Sequence, residues 1–185
     1  MKTPLTASPY LFTSARLGFR NWQPADTEQM AEINADPAVM EFFPAVKSKT
    51  ETIAFLDRMQ HQFETKGYCY FAVDRLDTHA FIGFIGLSEP VFEADFTPCV
   101  DMGWRLKQNA WGNGFATEGA ERCLAYAFEE LKLEKVYAVA PCVNTRSEHV
   151  MIKIGMRKVK QFKHPLLEGD ERLQDCVLYE KTNDQ

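Results

Sequence analysis

Long apolar runs are missing from this sequence. No stretch approaches the roughly 20 consecutive apolar residues of a membrane-spanning helix, and the opening MKTPLTASPY carries no apolar signal core. The expectation is a cytoplasmic chain with no membrane partner. Clustered positive charge is missing too: 26 acidic residues outnumber 21 basic ones, giving a formal charge of -5. Surfaces that neutralise nucleic-acid phosphates need grouped Lys and Arg, so no nucleic-acid partner is expected. Metal-ligand spacings are absent as well. The five cysteines (Cys69, Cys99, Cys123, Cys142, Cys176) form no CxxC pair, and the four histidines show no HxH or HxxxH spacing. That disfavours a zinc site or a disulfide framework; no metal is expected, and the thiols read as reduced and mostly buried. Internal repeats, linkers and low-complexity tracts are lacking. The 185 residues suit one domain, 1–185, able to bury a real core.

What is present is an ordinary globular composition, 45% hydrophobic and 25% charged, with clear changes of period. ARLGFRNW (15–22) alternates as a strand. Pro24 and Asp26 suit the first turn of a helix carrying Met30 and Ile33 inward, and DPAVMEFF (36–43) reads as a second short helical piece. Ser48 and Glu51 form a capping box for a helix with Ile53, Leu56 and Phe63 inward and Gly67 as its stop. YCYFAVD (68–74) and AFIGFIGLS (80–88) make a hairpin. The loop 89–98 follows, with Glu89, Glu93 and Asp95, three carboxylates suited to attracting a cation or simply to solvent. CVDMGWRLK (99–107) is a strand with Val100, Met102, Trp104 and Leu106 on one face and Asp101, Gly103, Arg105 and Lys107 on the other. From Phe115 to Leu131 the period is helical. KVYAVAPCV (135–143) is a strand, TRSEHVMIKIGM (145–156) a helix capped from Thr145 to Glu148 and stopped by Gly155. Two further strands surround a polar turn near the end. The basic alternation RKVKQFKH (157–164) reads as a solvated strand face, with contact to a ligand's phosphates as the alternative. The fold class is α/β (α+β), a mixed sheet of six or seven strands flanked by helices.

Two of only ten glycines, Gly112 and Gly114, stand one residue apart in NAWGNGFATEG (109–119), where strand gives way to helix. Such a turn presents converging backbone N–H groups and a helix N-terminus to an anion. A P-loop would need a lysine that is not there, and a dinucleotide fingerprint would need glycine where Thr117 stands. A tight turn with no ligand is the simplest alternative. The stretch resembles the pyrophosphate loop of the GNAT acetyltransferases at Asn109, Gly112 and Gly114, with Asn109 standing where Gln or Arg is usual. GNGFATEGA is similar to the GxGxATEA form of the RimJ/RimL branch. Some thirty residues later NTRSEHVMIKIGM is similar to the family's second motif, and ARLGFRNWQPAD to its first strand and turn. The resemblance spans about residues 15–180.

That resemblance implies a GNAT fold in which two central parallel strands, 100–107 and 135–141, splay apart to admit acetyl-CoA. It implies that backbone groups of Trp104, Arg105 and Leu106 face the pantetheine and acetyl carbonyl. The amides from Trp111 through Gly112, Asn113, Gly114 and Phe115 to Ala116 would hold the diphosphate, and Asn144 would contact the pantetheine arm. Where many members carry a thiolate-protonating tyrosine, this chain has Met151. Ser147 is then the candidate donor, its alternative being a helix-start serine bonded to backbone; Asn144 likewise could be a turn residue. Base candidates are Asp101, which matches an acidic position common in the branch, Glu118 and Glu89, although Glu118 could simply complement the helix dipole. The implied reaction is direct acetyl transfer to an amine: a protein N-terminal α-amine as in ribosomal-protein acetyltransferases, or a small amine. A non-catalytic CoA-binding module is the remaining alternative. No residue looks like a powerful base, and a neutral lysine costs roughly 3 kcal/mol more than a neutral α-amine at pH 7, which favours a low-pKa amine. Phe42, Phe43 and Phe55 read as core beside the acceptor region. A homodimer is compatible with the branch.

Overall fold

The computed structural model describes residues 8–183; most of the opening stretch inspected for a signal core lies outside them. Eight strands form one sheet in the order β1-β2-β3-β4-β5-β6-β8-β7. They are β1 Phe12–Thr13, β2 Leu17–Arg20, β3 Tyr70–Arg75, β4 Phe81–Ser88, β5 Asp101–Leu106, β6 Lys135–Pro141, β7 Arg157–Lys163 and β8 Asp175–Thr182. The expected six or seven become eight through β1, two residues too short to show a period. Every neighbouring pair is antiparallel except β5 and β6, which are parallel.

Among the described residues four α-helices flank the sheet: α1 Asp26–Ala35, α2 Lys49–Lys66, α3 Phe115–Ala125, continued by a π-helical turn over Tyr126–Glu130, and α4 Thr145–Lys153. The α2 cap is the expected reciprocal box between Ser48 and Glu51, and Gly67 ends the helix at φ 79°. Leu56 is buried and Phe63 packs against the core as expected, but Ile53 does not face inward. Thr52, Leu56 and Met59 are buried while Ile53 is exposed, because buried Asn34 donates to the Thr52 hydroxyl and draws that side toward α1. Residues 36–43 form turns rather than a helix. Asp36 caps the Ala38 N–H with its own side chain, a local bond that competes with helix propagation.

The face of β3, β4 and β5 that carries Phe71, Ile85 and Met102 packs under α3, where Gly119 leaves room for Ile85: a Cβ there would lie 2.2 Å from the Ile85 Cδ1. The opposite face lies under α1 and α2. There Arg20 is buried with two carboxylates, its guanidinium bonding both Asp26 oxygens and both Asp74 oxygens at 2.7–2.9 Å.

Candidate active site

The site begins where β5 and β6 separate. These strands share a single ladder position, Asp101 opposite Tyr137, closed by the Tyr137 N–H donating to Val100 O at 2.9 Å. Beyond it the parallel pair has no further rung, and the strands diverge into a slot. Backbone polarity alternates along a strand, so the N–H and C=O groups of Met102, Trp104 and Leu106 point the same way as Val100, into the slot. Arg105 departs from expectation here. Its backbone has the opposite parity and pairs with Phe84 of β4, as Lys107 N–H does with Ile82 O. The Leu106 carbonyl is already occupied by the Trp111 indole N–H at 2.8 Å, and the Trp104 and Leu106 N–H groups remain as donors facing the slot, Trp104 being the nearer to the point where the strands part.

After β5 a 3-10 turn, Gln108–Ala110, carries exposed Asn109. Trp111 N–H donates to Gln108 O within this turn and is therefore spent, contrary to expectation. The open run starts one residue later. Gly112 and Gly114 both sit in the left-handed region, at φ 75° and 78°, with Asn113 between them. The Asn113 side chain bonds Ala110 O and Trp111 O at 3.2 and 2.9 Å and fixes the loop. Among the described residues, the N–H groups of Gly112, Asn113 and Gly114 donate to nothing, and those of Phe115 and Ala116 are first-turn orphans of α3. Alternating left-handed residues at a helix N-terminus make a concave amide nest for an anion. A diphosphate fits this donor set. Gly112 would meet nothing with a Cβ, so conformation and open surface, not crowding, require the glycine.

The cap of α4 falls one residue before the expected one. Asn144, not Thr145, is the N-cap, its side chain accepting from Ser147 N–H at 3.1 Å. Glu148 instead receives the Tyr179 hydroxyl at 2.8 Å and pairs with Lys158. The Ser147 side chain is half-buried and its hydroxyl has no bond among the described residues, so the backbone-bonded alternative is not what the structure holds. Arg146 lies 4.7 Å from the Trp111 ring and pairs with Glu41 at 2.7 Å. This links the first turn of α4 to the end of β5 and to the 36–45 turns.

Asp101 lies on the α1/α2 face of β5. Burial pushes its carboxyl up to about 7, against the Tyr70 hydroxyl, which donates to both of its oxygens at 2.9 and 3.1 Å and favours the charged form. Tyr70 stacks on Phe84, ring centroids 4.9 Å apart, and crosses β5 over Gly103, where a Cβ would stand 3.0 Å from its ring. The other acids are committed elsewhere. Glu118 receives the Ser14 hydroxyl, the Arg16 N–H and the Arg16 guanidinium at 2.6–2.8 Å. Burial alone would raise its pKa, yet these bonds hold it below the usual value. Glu89 accepts from the Tyr68 hydroxyl and pairs with Lys66, and Asp95 pairs with Lys160; of the loop acids only Glu93 has no ion pair among the described residues. The cations of 157–163 are likewise paired, with Glu180, Glu148, Asp95 and Asp175, a solvated strand face. The cysteines are all free, and burial pushes the Cys99 thiol up to about 11. Sequence reasoning missed Tyr70, Asn34 and the Arg105 side chain; the two glycines Gly86 and Gly103, which stand in register with Tyr70 across β4 and β5, were the available signal for the first.

A strand–glycine nest–helix unit beside a splayed parallel pair defines a CoA-dependent acyltransferase fold. Residues 16–157 match the acetyltransferase (GNAT) domain, and the chain belongs to that family. It is 29% identical over 160 residues to the uncharacterized N-acetyltransferase YnaD of Bacillus subtilis, covering 86% of this chain and 89% of that one. A GNAT-family acetyltransferase from Bacillus anthracis superposes with TM-score 0.78 at 28% identity, over 94% of this chain and 98% of its own. The ribosomal-protein-S5-alanine acetyltransferase of Vibrio fischeri shares the fold at TM-score 0.75 and 18% identity, over 94% and 97%. The protein is an acetyl-CoA-dependent N-acetyltransferase.

Proposed function

We propose that the chain, acting as one catalytic domain of the RimJ/RimL-like branch, acetylates a low-pKa amine, a protein N-terminal α-amine first among them. The observation that carries this reading is Asp101: a carboxyl poised near neutrality, held by Tyr70, at the point where β5 and β6 part. Asp101 takes a proton from the acceptor ammonium, directly or through one water. The neutral nitrogen attacks the thioester carbonyl, and the Trp104 N–H in the slot stabilises charge gathering on its oxygen. The C–S bond breaks as the C–N bond forms; Ser147, at the positive end of α4, gives its proton to the departing thiolate and regains one, through solvent, from the second N–H proton that the acylated nitrogen sheds. The nest from Gly112 to Ala116 holds the diphosphate and sets the depth of the acyl end. Asn144 orients the first turn that carries Ser147.

A base near pH 7 suits an α-amine, whose pKa lies about 7.7–8.0, better than a lysine near 10.4. A small-molecule amine is the second reading, favoured by the aromatic enclosure of Phe43 and Phe84 around Arg105. No described helix is long and apolar enough to cross a membrane, which is compatible with work in the cytoplasm. The deciding experiment compares thermal shifts with acetyl-CoA, CoA, ATP and NAD, then screens amine acceptors by mass spectrometry. Stabilisation by the two CoA species with acetylated product is expected. Stabilisation without turnover on any amine would make the chain a CoA-binding module.

A further inference from the structure

Two arginines on the α1/α2 side of the sheet, Arg20 buried and Arg105 half-buried with its Nε enclosed, are treated differently. Arg20 is neutralised by both oxygens of Asp26 and both of Asp74. Arg105, on the same side of the sheet, has no carboxylate within ion-pair distance among the described residues. Its Nη1 donates to Asn34 Oδ1, and its Nε is buried with no hydrogen-bond partner. A guanidinium has five N–H donors in a fixed fork that matches a carboxylate, and one of them is accounted for here. The guanidinium carbon lies 4.3 Å from the Phe43 ring and 5.3 Å from the Phe84 ring. Rings supply a quadrupole but no counter-charge.

This placement is built. Asn34 is 1% exposed, and its amide is fixed because Nδ2 donates to Thr52 Oγ1 at 2.9 Å while Thr52 donates to Ser48 O at 3.0 Å. With Nδ2 spent, Oδ1 can only accept, and it turns one edge of Arg105. The nearest acid on β5, Asp101, is engaged by Tyr70 and stands four residues away, about 13 Å along the strand. Burying an uncompensated cation is costly, and burial pulls Arg105 down to about 10. A fold that supplies two acids to Arg20 and none to Arg105 leaves the second for something that arrives.

We infer that Arg105 binds a carboxylate carried by the acceptor, so that the substrates of this enzyme are amines bearing an acidic group several bonds from the attacking nitrogen. The inference rests on the acetyltransferase reading of the same site. Two sources share this chemistry: a small amino-acid derivative, and a peptide N-terminus followed by an acidic residue. Polyamines, which bring further positive charge to Arg105, are poor acceptors.

The test compares each acidic acceptor with its amide: an amino-acid-derived amine and its carboxamide, and short peptides with Glu or Gln in second place. Initial rates are measured for the wild type, Arg105→Gln, Arg105→Lys and Asn34→Asp. The wild type should prefer acid over amide by 10-fold or more in kcat/KM, mainly through KM. Arg105→Gln should erase that preference, and Arg105→Lys should keep part of it. Asn34→Asp supplies an internal counter-ion without changing size, and it should erase the preference even if Arg105→Gln folds poorly. The pair that shows the preference names the source. Equal rates for acid and amide in the wild type, or a preference untouched by Arg105→Gln and Asn34→Asp, would overturn the inference. Calorimetric binding of the same pairs to the CoA-loaded chain makes the comparison without turnover. Absence of product with any amine, alongside acid-selective binding lost in Arg105→Gln, would therefore refute the acetyltransferase reading and uphold the role of Arg105.

Discussion

The Tyr70 hydroxyl reaches Asp101 across the empty side of Gly103, bonding its two carboxylate oxygens at 2.9 and 3.1 Å. β5 thus supplies both the acid and the gap that admits the Tyr70 ring of β3, and Phe84 of the intervening β4 steadies it. The pairing sets how strongly the carboxylate holds a proton.

Activity should accordingly follow a base with an apparent pKa about 7, kcat/KM falling tenfold per unit below it. Tyr70→Phe removes a bond that favours the charged form, so the acid limb should move to higher pH. A limb left in place would remove Tyr70 from this role.

Asp101→Asn should cost 10²- to 10⁴-fold in kcat and yet stabilise the fold. The sign follows from the raised carboxyl: the folded chain keeps a proton that the unfolded chain loses near pH 4, so stability is drained as pH rises from about 4 to about 7. Above that the loss is complete. At pH 8 the amide should therefore add about 1–3 kcal/mol, allowing for partial solvent exposure, and thermal melts should show a gain at pH 8 that shrinks at pH 5 and vanishes below about pH 4.

Gly112→Ala forces a side chain into φ 75° and plants a methyl on the amide nest. Left-handed backbone costs roughly 1–2 kcal/mol for such a residue. The KM for acetyl-CoA should rise at least tenfold while kcat at saturation changes by a few fold. An unchanged KM would move the diphosphate off this loop.

Asn144→Ala and Ser147→Ala separate two roles. The first removes an N-cap worth about 1 kcal/mol, a fall of some 2–4 °C in Tm for a chain of this size. The second should leave Tm alone and lower kcat at least tenfold, most for poor leaving groups. Equal rates at saturating substrates would release Ser147 from protonating the thiolate.

Arg20→Met leaves Asp26 and Asp74 buried without their cation, a change that costs about 3–5 kcal/mol. Chemical denaturation should show the loss at neutral pH and a partial recovery on acidification.

What the sequence disclosed was local. Capping at Ser48 and Glu51, the stop at Gly67 and the glycine nest depend on neighbours in the chain, and each is legible from residue type. The larger misreadings involve distant partners. Residues 36–43 have helical spacing, but Phe42 and Phe43 are anchored by Arg146 and Arg105. Glu118 looked available until Ser14 and Arg16, more than a hundred positions earlier, closed on it. Arg105 could be placed on the correct face by alternation, yet its want of an acid partner is visible only when α1 lies beside β5.

The single rung between β5 and β6 has a mechanical consequence. Strands β1 to β5 and strands β6 to β8 are two blocks joined at one hinge of backbone, and the cosubstrate enters as the missing lining between them. Ligand at a hundred times its Kd adds about 2.7 kcal/mol to any fold that binds it, but here that gain should concentrate along the seam. Amide exchange of Trp104 and of the residues following Tyr137 should slow on addition of acetyl-CoA, while the α1–α2 layer keeps its own tempo.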